Sequence, residues 1–285
     1  MSRSGSAQGA VLTHWEGQPV REWADAWGIP ALEAWDVVGS TNDRARAWRQ
    51  EGARAWSVVV ADSQSSGRGR AGRRWVSEPG RGLWFSILLP SSGVTSALVP
   101  LRTGLAVAQV LEDVVDAVDL GVKWPNDLWW RDRKVGGILC ESRSGETVVG
   151  VGVNLDSPRM TEFDAAGVTG TQERPVGVRD ISDGEVPRDR LLGALVRRIR
   201  DVLGRGGSRL SAAEVGALAR RDRLRGRAVC WSEGPGGIAR GVAPDGSLQL
   251  ETPDGIRHIR SGSVRPIARA SGLGRNDTNV EGGKA

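Results

Sequence analysis

Ala34-Trp35-Asp36-Val37-Val38 alternates in a period of two and predicts a β-strand. Gly39-Ser40-Thr41-Asn42-Asp43 follows with the residues of a turn and a capping box, so a helix is expected from there to about Gly52. Ser57 to Ala61 and Gly82 to Leu89 are apolar runs that predict buried strands, and the polar stretch from Asp62 to Arg74 predicts a loop framed by them. Leu98, Leu101, Leu105, Ala108, Leu111, Val115 and Val118 recur at helical spacing, which predicts a helix over 98–118 with one face in the core. Residues 15–27, with Trp15, Trp23 and Trp27, predict a short amphipathic helix, and residues 1–10 a loose leader.

The pattern then turns to strands. Val122-Lys123-Trp124 enters a Pro125-Asn126-Asp127 turn, Leu128-Trp129-Trp130 leaves it, and Arg131-Asp132-Arg133 reverses the chain. Lys134 to Ser142 pairs back and 147–155 adds a further strand, an antiparallel meander. Residues 156–187 are irregular, and Arg188 to Leu203 and 211–220 predict two helices. From Arg221 short apolar runs alternate with turn signals at Ser232 to Gly237, Pro244-Asp245-Gly246, Pro253-Asp254-Gly255 and Arg260-Ser261-Gly262. Such spacing predicts a small barrel of about five strands ending near Ile267. The expected organisation is an extension over 1–30, a main domain over 31–220, a barrel over 221–270 and a frayed tail over 271–285.

With 285 residues, 39% hydrophobic and 26% charged, the chain has the balance of a soluble globular protein. No run approaches ~20 apolar residues and the first thirty lack a signal pattern, so no membrane partner and a cytoplasmic location are expected. Cys140 and Cys230, with His14 and His258, provide neither a disulfide framework nor a His/Cys metal cage, and argue against zinc and Ser-His-Asp chemistry. The net charge of +5 is spread among acids along the chain and reads as a solvated surface rather than a nucleic-acid footprint. Lys occurs only at 123, 134 and 284, so in a chain inclined to Arg, Lys123 and Lys134 mark places for a compact, rotatable ammonium.

Gln64-Ser65-Ser66-Gly67-Arg68-Gly69-Arg70-Ala71-Gly72-Arg73-Arg74-Trp75 contains Gly-x-Gly-x-x-Gly, the dinucleotide fingerprint. A polar segment precedes it, and Trp75 to Gly82 with Pro79 does not begin the required helix, so the match is treated as accidental. What remains is a flexible loop with four Arg, suited to a polyanion. It is short, internal and tied to strands at both ends, which favours a nucleoside triphosphate over RNA or bare solvent. Lys123-Trp124-Pro125-Asn126-Asp127 and Lys134-Val135-Gly136-Gly137-Ile138-Leu139 put two lysines on what read as adjacent strands joined by a short hairpin, facing one pocket.

Together, Ser40-Thr41-Asn42, the Gln64 to Trp75 loop, Lys123 to Asp127, Lys134 to Leu139 and Gly150-Val151-Gly152-Val153-Asn154-Leu155 occur in the order and approximate spacing of the biotin protein ligases. The chain from about 31 to 267 resembles that family, and the arginine loop is the most diagnostic part because the related lipoate ligases lack it. The resemblance implies an α+β fold: a class II aminoacyl-tRNA synthetase-like domain, a mixed sheet flanked by helices, followed by a small SH3-like β-barrel. It implies an ATP-dependent ligase that forms biotinyl-5′-AMP and transfers biotin to a lysine of a biotin carboxyl carrier protein. Implied around biotin are Ser40, Thr41, Asn42, Gln64, Gly67, Arg68, Gly69, Arg70, Trp75, Lys134, Gly137 and Gly152, with Ser40, Thr41, Gln64 and Arg68 on the ureido end. Implied around ATP or the adenylate are Arg70, Arg73, Trp75, Lys123, Asn126, Asp127, Lys134 and Asn154, with Gly150 beside them. Asn154 would meet adenine, Asn126 and Asp127 the triphosphate or its Mg²⁺, and Lys134, Lys123 and Arg70 would be catalytic.

Two departures carry expectations. Too few residues precede Ala34 for the helix-turn-helix domain of family members that repress transcription, so a ligase without DNA binding is expected. The chain has no Tyr, so Trp84 or Phe85 is expected to face the biotin tail. The 62–75 loop is expected to close over the adenylate with Trp75 as its lid, and Asp127 is the candidate base for transfer. Strand edges near 134–142 are expected to pair with the acceptor, and Cys140 reads as a core residue. A monomer or homodimer is expected; lipoate or octanoate ligation and biotin-dependent transcriptional regulation are the alternatives.

Overall fold

In the computed structural model, which describes residues 9–91, 95, 97–115, 119–159, 175–182 and 184–267, the chain begins with β1 (Val11–Leu12), β2 (His14–Trp15) and β3 (Gln18–Pro19). The helix expected over 15–27 is shorter, α1 (Val20–Trp27), because Glu16 and Gly17 take positive φ of 46° and 79° and turn β2 back onto β3. Its tryptophans still cluster: Trp23 stacks on Trp27 at 5.5 Å, and Trp15 meets Trp27 edge-on at 6.0 Å.

β4 (Leu32–Val38), α2 (Thr41–Gln50), β5 (Val58–Gln64), β6 (Gly82–Leu88) and α3 (Val99–Val115) follow the predicted order. The meander is present as β7 (Leu120–Lys123), β8 (Asp127–Trp130), β9 (Arg133–Arg143) and β10 (Glu146–Asn154), and the two helices as α4 (Arg188–Gly204) and α5 (Ala212–Arg221). The 271–285 tail, residues 1–8 of the leader, 116–118 of the third helix and 160–174 of the irregular stretch lie outside the described residues. Ser40 is the extended residue before α2, but its side chain makes no capping bond; Asp43, which would complete the box, pairs with Arg68 instead.

The main sheet has eight strands in the order β1-β4-β5-β6-β10-β9-β8-β7, with β4 and β5 parallel and every other neighbour antiparallel. Alternation gives the sheet two unlike faces. Leu83, Phe85 and Ile87 of β6 and Val149, Val151 and Val153 of β10 join α3 and α4 in the large core, and burying each such side chain stabilises by roughly 1.5–3 kcal/mol. On the other face α2 covers only one end, where Ala45 packs with Trp35, Val38, Val59, Ala61, Leu88 and Val148. Over the rest of that face lie the arginine loop and a cavity. Among the described residues no helix is long and apolar enough to cross a membrane.

The expected five C-terminal strands are β11 (Ala228–Trp231), β12 (Gly234–Val242), β13 (Leu248–Thr252), β14 (Gly255–Ile259) and β15 (Val264–Pro266), in an antiparallel sheet ordered β14-β13-β12-β11-β15. Its Val229, Ala239, Leu248, Leu250 and Val264 belong to the same apolar core as the main sheet. Hydrogen bonds tie this sheet and the segment leading into it to the meander: Arg223 N donates to Val122 O at 3.1 Å, Trp124 Nε1 to Gly246 O at 3.0 Å, and Arg227 Nη1 to Asp132 Oδ1.

Candidate active site

Strand register builds the floor of the cavity. Trp84 pairs with Gly152, Gly152 with Gly137, Gly137 with Asp127, and Asp127 with Lys123, so one row of same-face residues crosses five strands. Beside it Ser86, Gly150 and Leu139 form a second row. The glycines make room for Trp75, whose ring lies over them: a Cβ on Gly152 would stand 2.8 Å from the ring, and one on Gly137 3.1 Å.

Lys134 reaches this face only through an irregularity. Leu128 pairs with Gly136 but Trp129 with Lys134, leaving Val135 as an extra residue in β9. Lys134 is three residues from Gly137, and in a regular strand that odd spacing would turn it into the core. The bulge keeps Val135 buried in the core and brings Lys134 Nζ 2.7 Å from Asp127 Oδ1 and 5.1 Å from the Trp75 ring centre. The two lysines are therefore not on adjacent strands, as their spacing suggested; β8 lies between them and carries Asp127, whose Oδ2 is 3.7 Å from Lys123 Nζ. Lys123 Nζ also lies 4.8 Å from the Trp129 ring centre. Burial pushes the Asp127 pKa up, but Lys134 and then Lys123 pull harder, and the carboxyl ends below its ordinary value.

The arginine loop crosses above. Ser65 N and Ser66 N donate to Val38 O and Gly39 O, Trp75 N donates to Gly67 O at 2.8 Å, and Arg70–Gly72 forms a single 3-10 turn. No α-helix opens there, in keeping with an accidental fingerprint. Arg70 Nη1 donates to Asn126 Oδ1 at 3.2 Å, and Asn126 Nδ2 to Ile138 O at 2.9 Å. Burial lowers the Arg70 pKa while Asp127 raises it, and a guanidinium with so high an ordinary value stays charged. Asn154 Nδ2 donates to Lys134 O at 3.4 Å.

At the α2 end, Thr41 N and Thr41 Oγ1 donate to Gln64 Oε1 at 2.9 and 3.1 Å, and Gln64 Nε2 donates to Ser77 Oγ at 2.9 Å. Ser86 Oγ lies 2.6 Å from Asn42 Oδ1 and 2.8 Å from Thr41 Oγ1, and Asn42 Nδ2 donates to Glu141 Oε2 at 2.7 Å. Substituting Ala at Gly150 would set a Cβ 2.3 Å from Asn42 Oδ1, an amide already held by Ser86 and Glu141. Gly150→Ala is expected to cost about 1–3 kcal/mol in urea unfolding. Unchanged stability would mean that Asn42 has room to move.

One cavity gathers Ser40, Thr41, Asn42, Gln64, Arg68, Gly69, Arg70, Arg73, Trp75, Lys123, Asn126, Asp127, Lys134, Gly137, Gly150, Gly152 and Asn154. Gly67 stands apart: its Cβ position faces Trp75 O at 2.5 Å, so it closes the loop's own hairpin rather than lining the cavity. Trp84 and Phe85 do not line it either. Phe85 has the parity of the core face and is fully buried there, while Trp84 is 2% exposed and sits edge-on to Trp75 at 6.1 Å. Of the four loop arginines, Arg68 is already paired, with Asp43 and Glu141. The glycines near 134–142 offer no open edge: β8 covers Arg133 to Gly137 and β10 covers Gly136 to Arg143. Cys140 is half-buried against the core, and burial pushes its thiol up to about 12, as a packing residue requires. Trp129 lines the cavity as well, and Ser77, Ser86 and Glu141 stand behind it, bonded to the lining residues Gln64 and Asn42; strand alternation puts Trp129 with Asp127 and Ser86 with Trp84, but Ser77 and Glu141 carry no sequence signal.

Residues 35–157 match the Biotin/lipoate A/B protein ligase family, and residues 236–265 match the Biotin protein ligase C terminal domain. The biotin-[acetyl-CoA-carboxylase] ligase of Paracoccus denitrificans is 34% identical over 227 residues, covering 74% of this chain and 89% of the relative. The chain belongs to the biotin protein ligase family. The family's ligase of the same description from Mycobacterium tuberculosis is 30% identical over 253 residues, 80% of this chain and 87% of the relative. Among solved structures, a biotin protein ligase from Aquifex aeolicus in complex with biotin and ATP superposes with a TM-score of 0.71 at 28% identity, covering 84% of this chain and 100% of that one. Family membership agrees with the cavity: a helix end rich in hydroxyl and amide groups, a glycine floor, and an end with four of the site's cations, Arg70, Arg73, Lys123 and Lys134.

Proposed function

We propose that this protein activates biotin with ATP to biotinyl-5′-AMP and transfers the biotinyl group to a lysine of a biotin carboxyl carrier domain. The observation that carries the reading is the convergence of Lys134, Lys123 and Arg70 on one end of a cavity whose floor is glycine, in a chain of this family. The biotin carboxylate oxygen attacks the α-phosphorus and pyrophosphate leaves; both reactants are anionic, so repulsion and orientation dominate the barrier. The three cations offset that charge, and a single well-placed donor lowers such a barrier by roughly 3–4 kcal/mol. Arg73 joins them at the phosphates and Asn154 takes adenine. Ser40, Thr41, Gln64 and Arg68 hold the ureido end, and Trp75 over Gly137 and Gly152 covers the tail and shields the mixed anhydride from water.

In the second step the lysine amine bonds to the acyl carbon, AMP leaves, and the amine gives up a proton. Asp127 is poorly placed to take that proton, because its carboxylate is engaged by Lys134 and Lys123 and its pKa is depressed. It acts instead as the fixed counter-charge that spaces the two ammoniums. Among the described residues no three or more His, Cys, Asp or Glu side chains form a metal cage. Asp127 lies between two ammoniums and Asn126 Oδ1 accepts from Arg70, so neither offers an open oxygen to Mg²⁺, which would be carried in on the triphosphate's own oxygens and would offset the charge of pyrophosphate there.

The fold reading extends to a class II aminoacyl-tRNA synthetase-like catalytic domain over 31–220 and an SH3-like barrel over 221–270, supported by the mixed eight-stranded sheet and the five-stranded antiparallel one. A cytoplasmic location goes with it. The deciding experiment mixes purified protein, MgATP, an acceptor domain and either biotin, lipoate or octanoate, and reads the acceptor lysine by mass spectrometry. Biotin alone is expected on the lysine; lipoyl or octanoyl transfer in its place would overturn the proposal.

A further inference from the structure

Asp43 and Glu141 do not line the cavity, yet both grip an arginine that does. Asp43, in the first turn of α2, receives both terminal nitrogens of Arg68: Nη2 donates to Oδ1 at 2.7 Å and Nη1 to Oδ2. Glu141, on β9, lies 3.5 Å from the same Nη2 and accepts Asn42 Nδ2 at 2.7 Å. Arg46 reaches both carboxylates, Asp43 at 3.2 Å and Glu141 at 3.5 Å, so two acids balance two bases. The loop, the start of α2 and β9 thus meet at one pair of carboxylates.

A planar fork held at both nitrogens has a defined orientation, whereas Arg68 stands between Gly67 and Gly69 on a segment whose backbone supplies little stiffness. We infer that Asp43 and Glu141 are positioning residues that hold the Arg68 guanidinium over the α2 end of the cavity and thereby set biotin affinity without touching biotin. This rests on the proposed function, in which Arg68 meets the ureido end. Asp43 is half-exposed, so the grip is screened by salt, and biotin affinity falls as ionic strength rises.

Asp43 also sits where a carboxylate favours a helix N-terminus, a purely structural role. A double-mutant cycle separates the two. Biotin is titrated calorimetrically, without ATP, into the full-length wild type, Asp43→Asn, Glu141→Gln, Arg68→Gln and the doubles pairing each carboxylate variant with Arg68→Gln. Asp43→Asn is expected to weaken biotin binding about three- to tenfold and to have no further effect in the Arg68→Gln background, whereas Glu141→Gln, which also releases Asn42, is expected to lose in that background only the share of its effect that passes through Arg68. At saturating biotin the rate of adenylate formation stays within about twofold of wild type for both single variants, since Arg70 and Lys134 are untouched. Losses that persist undiminished in the Arg68→Gln background, with or without a lowered melting temperature, overturn the inference and leave the functional proposal standing. Wild-type protein that binds no biotin overturns both.

Discussion

Replacing Lys134 by Ala is expected to slow biotin-dependent exchange of pyrophosphate into ATP by about 10²–10³-fold. The ammonium lies on the glycine floor, 3.4 Å from where a Gly137 Cβ would be, and in the proposed reaction it offsets the charge of the attacking carboxylate and the phosphate. Biotin binding should weaken far less, because the residues proposed for the ureido end, Ser40, Thr41, Gln64 and Arg68, lie at the α2 end of the cavity. The fold should survive, since Asp127 keeps Lys123 at 3.7 Å once Lys134 is gone. Lys134→Arg is not expected to restore the rate: a planar fork is broader than an ammonium, and the Trp75 ring closes the space above. Steady-state exchange with both variants, alongside calorimetric biotin titration, checks this; exchange within a few-fold of wild type in Lys134→Ala would remove Lys134 from the chemistry.

The largest effect on stability is expected from Asp127→Asn. Asp127 is 7% exposed and Lys123 5%, and the carboxylate lies between two ammoniums, so neutralising it leaves like charges facing each other in a poorly solvated space. Breaking a buried pair of this kind costs about 3–5 kcal/mol, a large part of a domain's total stability. The pH dependence has a definite sign. The Asp127 pKa is lower in the folded protein than in the unfolded chain, so its stabilisation is complete above the ordinary carboxylate value near ~4 and is lost as pH falls through the lower folded value. The gap in unfolding free energy between wild type and Asp127→Asn should therefore be full at neutral pH and close on acidification. Urea titrations at a series of pH values measure it; a gap that stays constant or widens below about pH 4 would contradict the assignment.

Much of the site was legible in the chain because its parts are local. The turn that starts α2 carries Ser40, Thr41 and Asn42 together, the arginine loop is one contiguous segment, and the Pro125-Asn126-Asp127 turn sits between two strands whose alternation is plain. Elements longer than four residues were found where apolar periodicity persists, as in β4, α3 and α4. The shortened first helix was not, because its apolar spacing continues through Glu16 and Gly17 although their backbone turns the other way.

What the sequence determined by itself was the set of chemical groups and the elements that carry them, since helix and strand periods, turn residues and the spacing of charges act over a few neighbours. Which groups meet was decided by the tertiary structure. Register across five strands aligned Trp84, Gly152, Gly137, Asp127 and Lys123, and one extra residue in β9 turned Lys134 from the core to the cavity. Phe85 went to the buried face by the same parity. Asp43 and Glu141, far apart along the chain, share an arginine only because α2 and β9 approach each other in space. Long-range pairing and a single-residue shift leave no trace in local periodicity, yet they fix the direction in which every side chain on a strand points.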